Sequence, residues 1–302
     1  MAGKILVVDD DPGIVRLITK AFDALGYETD SASNGASALE LAAKKEDYCL
    51  IITDIVMPQM SGLEFLIQLI QVKPDIPIIF ISGYTEFAFA LEAINLGAVA
   101  FLVKPFDKAE LLKLVDKIMT LAKKRDAHDK LFNLVSAEKL ELVINTATLM
   151  DKDNFSQLTC ETADRFINFK GAEKIGALKI ALAIHEALRN SLEHGNLELS
   201  SDIKPELIDA EEDPYEKLMR ERIKDPKYAE KKIWIVYSRT EEKVELTIRD
   251  EGNGFDNGSM LNRNHDTDIG HHHGLMLIRA GMDEISYNDA GNEITLTCYA
   301  AK

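Results

Sequence analysis

Five short apolar runs alternate with segments of helical period over the first third of the chain: Lys4 to Asp9, Glu28 to Ser33, Leu50 to Asp54, Pro77 to Ser82 and Ala100 to Lys104. Such alternation implies strands joined by helical crossovers, which gives a parallel sheet covered on both faces. Open sheets of this kind bind ligands beyond the carboxyl ends of their strands, where the strand order reverses. Asp9, Asp10 and Asp54 all stand at such ends.

Carboxylates gathered this closely raise one another's pKa unless a counter-charge intervenes, and a hard cation with oxygen ligands is the natural one. The cluster therefore reads as a divalent-cation site able to accept a phosphoryl group. Helix capping explains part of the same run, since Asp11 followed by Pro12 is a helix start. It does not explain Asp54, Ser82 and Lys104 at the ends of three other strands.

At 302 residues the chain exceeds the roughly 250 to 300 at which a single core stops growing, so two domains are expected. A formal net charge of −16 repels phosphate backbones, and the one basic run, Lys123 to Arg125, sits at a helix end where cations complement the dipole. No nucleic-acid partner is expected. Cys49, Cys160 and Cys298 lie far apart, which argues against a disulfide framework and a zinc site. No apolar run approaches the roughly 18 residues of a membrane span, and the chain enters a strand directly, so a cytoplasmic protein without a membrane partner is expected.

The series VVDD, TDIVMPQMSG, FISG and LVKPF resembles the receiver domain of two-component response regulators over roughly residues 3 to 122. The resemblance implies a flavodoxin-like, doubly wound, five-stranded parallel sheet with Asp54 as phosphoacceptor. It further implies Asp9 and Asp10 as the acidic Mg²⁺ pair, with Asp54 and the Val56 carbonyl as additional ligands. Lys104 would neutralise a phosphoryl oxygen, Ser82 would donate a hydroxyl bond to it, and Phe101 takes the aromatic switch position. The family also has a cis bond before the motif proline, here Lys104-Pro105. An upstream histidine kinase or phosphotransfer protein would be the phosphodonor.

Apolar residues at Leu111, Leu114, Val115, Ile118, Leu121 and Ala122 mark one face of a last receiver helix. A stretch of charged residues follows, which places a linker at 123–136 between domains 1–122 and 137–302. No basic recognition helix appears, so the output is not DNA binding. Instead IGALKIALAIHEALRNSLEHGN reads as one long helix from Ile175, with Ile180, Ile184, Leu188 and Leu192 inward and Glu186, Asn190 and His194 on a shared polar face. Two alternating strands, KKIWIVYS and VELTIRD, lead to the glycine loop at Asp250 to Phe255, and GHHHGLMLIRAG opens another helix at Gly274. Glycines there let backbone amides approach phosphate oxygens.

In this order the three segments resemble the nucleotide-binding boxes of the Bergerat ATP-binding fold, most closely the anti-sigma-factor serine kinases. The resemblance implies an α/β sandwich with a mixed sheet and ATP as ligand. Asn190 would hold the bridging Mg²⁺, Asp250 would accept from the adenine amino group, and Glu186 would be the general base. Gly252, Gly254 and Gly274 would shape the pocket. An anti-anti-sigma protein or sigma factor would be the partner, and the connecting helix leaves a homodimer open. Two rivals stay open: an ATP-bound module that sequesters its partner without turnover, and the ATPase of a split histidine kinase. His272 replaces a lid glycine of the family, Leu197 to Glu230 is a polar, partly helical insertion, and His271 to His273 read as a nucleotide lid in preference to a metal site.

Overall fold

A computed structural model describes residues 3–44, 48–83, 93–94, 96–128, 138–172, 174–199, 214–254 and 273–300. The chain divides into two compact units, Met1–Met119 with Glu173–Leu178, and Thr120–Ala172 with Lys179–Lys302.

In the first unit β1 (Lys4–Val8), β2 (Glu28–Ala32), β3 (Tyr48–Asp54), β4 (Ile78–Ser82) and β5 (Ala100–Val103) form one parallel sheet in the order β2-β1-β3-β4-β5. All of β4 and β5, most of β3 and Ile5 to Val8 of β1 are buried, so both faces are covered, and β-branched residues dominate because they suit a pleated, buried surface. The order reverses between β1 and β3, so the carboxyl ends of these two strands face one crevice. Helix α1 (Pro12–Asp23) starts as its sequence dictates: Asp11 caps the Gly13 amide at 2.6 Å and Pro12 occupies the first turn. Helix α2 spans Gly35–Ala43, and α3 (Gly62–Val72) opens with a capping box in which Ser61 and Glu64 satisfy each other's backbone amides. The last helix of the run, α4, extends over Lys108–His128.

The second unit carries a five-stranded sheet in the order β6-β7-β8-β10-β9, with β6 (Lys139–Asn145), β7 (Lys232–Arg239), β8 (Lys243–Arg249), β9 (Glu284–Tyr287) and β10 (Glu293–Tyr299). Every described pairing in it is antiparallel. Along β7 and β8 burial alternates, with Ile233, Ile235, Tyr237, Val244, Leu246 and Ile248 inward. The rest of the core comes from short α5 (Thr146–Leu149), α6 (Lys152–Lys170) and α7 (Lys174–Asn190), through residues such as Phe155, Phe166, Ile184 and Leu188. Helices α8 (Pro214–Arg222) and α9 (Pro226–Ala229) lie in the polar insertion, and α10 spans His273–Gly281.

The helix expected to run unbroken from Ile175 changes geometry after Asn190. Ser191–Asn196 form a π-helical turn, and the Leu197 amide bonds to the Leu192 carbonyl at 2.9 Å. The wider turn carries one extra residue, so the fourfold repeat ends at Asn190 and His194 faces solvent instead of sharing the face of Glu186. Among the described residues no helix is long and apolar enough to cross a membrane.

Candidate functional sites

Asp9, just beyond β1, and Asp54, the last residue of β3, are buried, while Asp10 is exposed. One carboxylate oxygen from each of the three lies within 4.8 Å of the others. Lys104, just beyond β5, reaches across the strand ends to bond Asp54 Oδ2 at 2.5 Å and Asp9 Oδ2 at 2.9 Å. Burial pushes the Asp9 carboxyl up, only partly opposed by the Asp11 amide and the Lys104 ammonium. For Lys104 burial works against the charged form, but its bonds to Asp54 and Asp9 prevail and hold its pKa above the usual lysine value.

Ser82 ends β4 fully buried, and its carbonyl accepts from the Lys104 amide at 2.7 Å. Phe101 is buried in β5 opposite Phe80. The Val56 amide donates to Asp54 Oδ1 at 3.3 Å. A Cβ on Gly62 would stand 2.1 Å from the Asp54 carbonyl oxygen, so only glycine lets α3 begin here. The Lys104-Pro105 peptide is cis. Three carboxylates with oxygens this close form an all-oxygen donor set, so the residues present suit Mg²⁺.

The second site forms around the end of α7. Glu186 is buried on it, one turn before Asn190. A Cβ on Gly274 would come 2.9 Å from Glu186 Oε2 and 3.8 Å from both side-chain heteroatoms of Asn190, which places the start of α10 over these two residues. Asp250 follows β8, buried, with its Oδ1 accepting from the Gly252 amide at 2.9 Å. Burial raises its pKa against the Gly252 amide, the Ser191 hydroxyl and the charge of Lys231.

Backbone approaches in this region leave no room for side chains. A Cβ on Gly252 would lie 2.6 Å from Gly195 Cα, and one on Gly254, whose φ is +67°, would lie 1.8 Å from the Ala290 carbonyl oxygen. These contacts are backbone packed on backbone, which fixes the loop after β8. The buried Asp250 carboxylate, with Glu186 and Asn190 on the neighbouring helix end, offers the acceptor and oxygen groups that an adenine amino group and a metal-bound phosphate need, so the residues present fit ATP. Asn196 was not singled out by sequence reasoning. Fully buried in the π turn, it accepts from the Glu251 amide at 2.7 Å and donates to Thr146 Oγ1 at 2.9 Å and the Lys232 carbonyl at 3.0 Å. An amide just after a polar helix face was its only signal. His265, His271 and His272 lie outside the described residues, as does the His273 side chain.

A doubly wound sheet with two aspartates and a lysine at its switch point defines the receiver class, and a second, antiparallel sheet with a glycine-lined helix end follows it in the chain. Family models agree: the response regulator receiver domain matches residues 5–116, and the histidine kinase-like ATPase domain matches residues 156–298. Sporulation initiation phosphotransferase F of Bacillus subtilis is 36% identical over 121 residues, covering 40% of this chain and 97% of that protein. The response regulator receiver protein CpdR of Brucella abortus is 34% identical over 119 residues, 39% of this chain and 98% of that one. The regulatory protein AtoC of Escherichia coli is 32% identical over 186 residues, and the match spans 60% of this chain but 40% of AtoC. It spans 26% of NtrC from Bradyrhizobium. The chain belongs to the response regulator receiver family and carries a histidine kinase-like ATPase domain after its receiver.

Proposed function

We propose that the chain is an aspartate-phosphorylated regulator whose output is an ATP-dependent serine/threonine kinase of the anti-sigma-factor type. In this reading residues 1–122 receive the phosphoryl group, 123–136 connect, and 137–302 act on a partner such as an anti-anti-sigma protein or a sigma factor. The observation that carries it is the convergence of Glu186, Asn190 and Gly274 beside Asp250, Gly195 and Gly252 around one helix end.

In the receiver, Asp54 takes the phosphoryl group from an upstream histidine kinase or phosphotransfer protein. Asp9, Asp10, Asp54 and the Val56 carbonyl would hold Mg²⁺, which would supply positive charge to the incoming phosphoryl oxygens. Lys104 moves from carboxylate to phosphoryl oxygen, and Ser82 and Phe101 read the change.

In the output domain, Asp250 would accept from the adenine amino group, the backbone at Gly252, Gly254 and Gly274 would shape the nucleotide site, and Asn190 would hold the Mg²⁺ that accompanies ATP. Glu186 takes the proton of the partner's hydroxyl as that oxygen bonds to the γ-phosphorus and the bond to the β-γ bridging oxygen breaks, releasing ADP. Positioning and charge supply most of the rate in such transfers.

Calorimetric titration of the full chain with an ATP analogue tests the reading. Binding should require Mg²⁺ and weaken about tenfold or more in Asp250→Asn, the loss of a buried charged hydrogen bond. With labelled ATP and host lysate, an acid-stable label on a partner, lost in Glu186→Gln, supports the kinase. Absence of magnesium-dependent nucleotide binding removes the proposal. Unchanged signalling in an ATP-bound Glu186→Gln chain assigns the partner-sequestering role instead.

A further inference from the structure

A peptide group is planar with its C=O and N–H on opposite sides, so a plane held at both ends cannot swing about the chain. The peptide between Asp250 and Glu251 is held in this way by two side-chain amides from separate parts of the second unit. Its carbonyl oxygen accepts from Nδ2 of Asn292 at 3.0 Å, and its N–H donates to Oδ1 of Asn196 at 2.7 Å. Asn292 lies in the turn between β9 and β10, and Asn196 ends the π turn.

Each amide is oriented by its other partners. Nδ2 of Asn196 already donates to Thr146 and Lys232, which leaves Oδ1 for the Glu251 amide. Oδ1 of Asn292 accepts from Nδ2 of Asn288 at 2.8 Å, while Oδ1 of Asn288 takes the Asn292 backbone amide at 3.1 Å. The NH₂ end of Asn292 is therefore the one turned toward Asp250. The Asn292 carbonyl also accepts from the Asp250 backbone amide at 3.0 Å, so this one residue bonds both backbone polar groups of Asp250.

We propose that Asn292 and Asn196 are positioning residues that set the preference of the site for adenine: by locking the peptide between Asp250 and Glu251 they aim the buried Asp250 carboxylate at the 6-amino group. This rests on the reading of Asp250 as adenine acceptor and adds to it what holds the acceptor in place. A turn serving only to join β9 to β10 is already closed by the Asn288 amide on the Glu293 carbonyl and the Gly291 amide on the Asn288 carbonyl, at 3.1 Å each. It needs no donor aimed at Asp250.

Calorimetric titration of the full chain with MgATP and with the magnesium salt of purine riboside triphosphate, which is ATP without its 6-amino group, tests it. The wild type should prefer ATP about 10- to 100-fold, the range of a hydrogen bond to a charged group, and Asp250→Ala should lose the preference. The same exchange at the two asparagines should then act differently. Asn292→Asp keeps the shape but turns an acceptor on the Asp250 carbonyl, so the preference should fall below about threefold while affinity for the analogue stays within about twofold. Asn196→Asp keeps an acceptor for the Glu251 amide, so in its folded fraction the preference should stay within about twofold of wild type although the protein is less stable. Residues that only support the fold would move both nucleotides together and leave their ratio unchanged. Loss of the preference in both variants, or in neither, overturns the inference. Should Asn292→Asp fail to fold, Asn288→Ala, which removes the donor orienting the Asn292 amide, carries the same expectation and the same refutation; should Asn196→Asp fail to fold, the Asn292 result alone decides. A wild type without the preference, or an Asp250→Ala chain that keeps it, removes the adenine reading and the inference with it. A preference lost in Asp250→Ala but kept in Asn292→Asp removes only the role of the asparagines.

Discussion

The carboxylate of Asp250 occupies the space that a side chain on Gly195 would need: a Cβ there would stand 2.4 Å from its Cγ and 2.5 and 2.7 Å from its two oxygens. Ser191 and the Gly252 amide hold that carboxylate, so it is not the loose end of a flexible chain and has nowhere to go. The π turn thus sets the position of the group proposed to read adenine.

Gly195→Ala should therefore act on binding as well as on stability. Overpacking of this kind costs about 1 to 3 kcal/mol. Chemical denaturation should show a loss of that order, and calorimetry should show weaker MgATP binding than the stability loss alone explains in the folded fraction.

Asn196→Ala should destabilise the second unit by about 1 to 3 kcal/mol, because it leaves the half-buried Glu251 amide and Lys232 carbonyl without this partner. Asn196→Asp should be little better, since a carboxylate cannot donate to Lys232 or Thr146. Urea titrations followed by fluorescence of Trp234, on β7, report this unit directly.

Asp54→Asn should abolish labelling by a small acyl-phosphate donor and weaken divalent-cation binding. Lys104→Met should have the opposite effect on the cation: it takes a positive charge away from Asp9 and Asp54, so Mg²⁺ binding should tighten several-fold, while phosphoryl transfer to Asp54 slows. Calorimetry with MgCl₂ separates the two.

Burial lowers the pKa of Lys179, on α7, from the usual 10.5 to about 8. The unfolded chain keeps that proton when the folded chain has lost it, so Lys179 costs stability below pH 8 and the cost is relieved as pH rises from about 8 toward 10.5. Lys104 acts in the other sense: its stabilising contribution is full below its unfolded pKa and is lost only as pH rises through its raised folded value. Lys179→Met should accordingly be more stable than wild type near pH 7, with the difference shrinking by pH 10. Denaturation midpoints across that range measure it.

The receiver was legible because Asp9, Asp54, Ser82 and Lys104 sit at the ends of apolar runs, and strand ends are marked in sequence by the period itself. Asp9, Asp54, Ser82 and Lys104 come together through the fixed spacing of neighbouring strands in the order β2-β1-β3-β4-β5. In the second unit the polar face of Glu186 and Asn190 could be read from helical spacing, but only up to the point where that spacing held.

What the order of residues settled by itself was therefore the alternation, the cap at Asp11, and the glycines at positions where a chain must bend or come close. What only the tertiary structure decided was the π turn, which turns His194 outward and seats Gly195 and Asn196 against Asp250 and Glu251. The reason is physical. A single extra residue in a helical turn has almost no local signature, and it is stabilised by partners at Thr146, Lys232 and Glu251 that lie some 35 to 55 residues away along the chain.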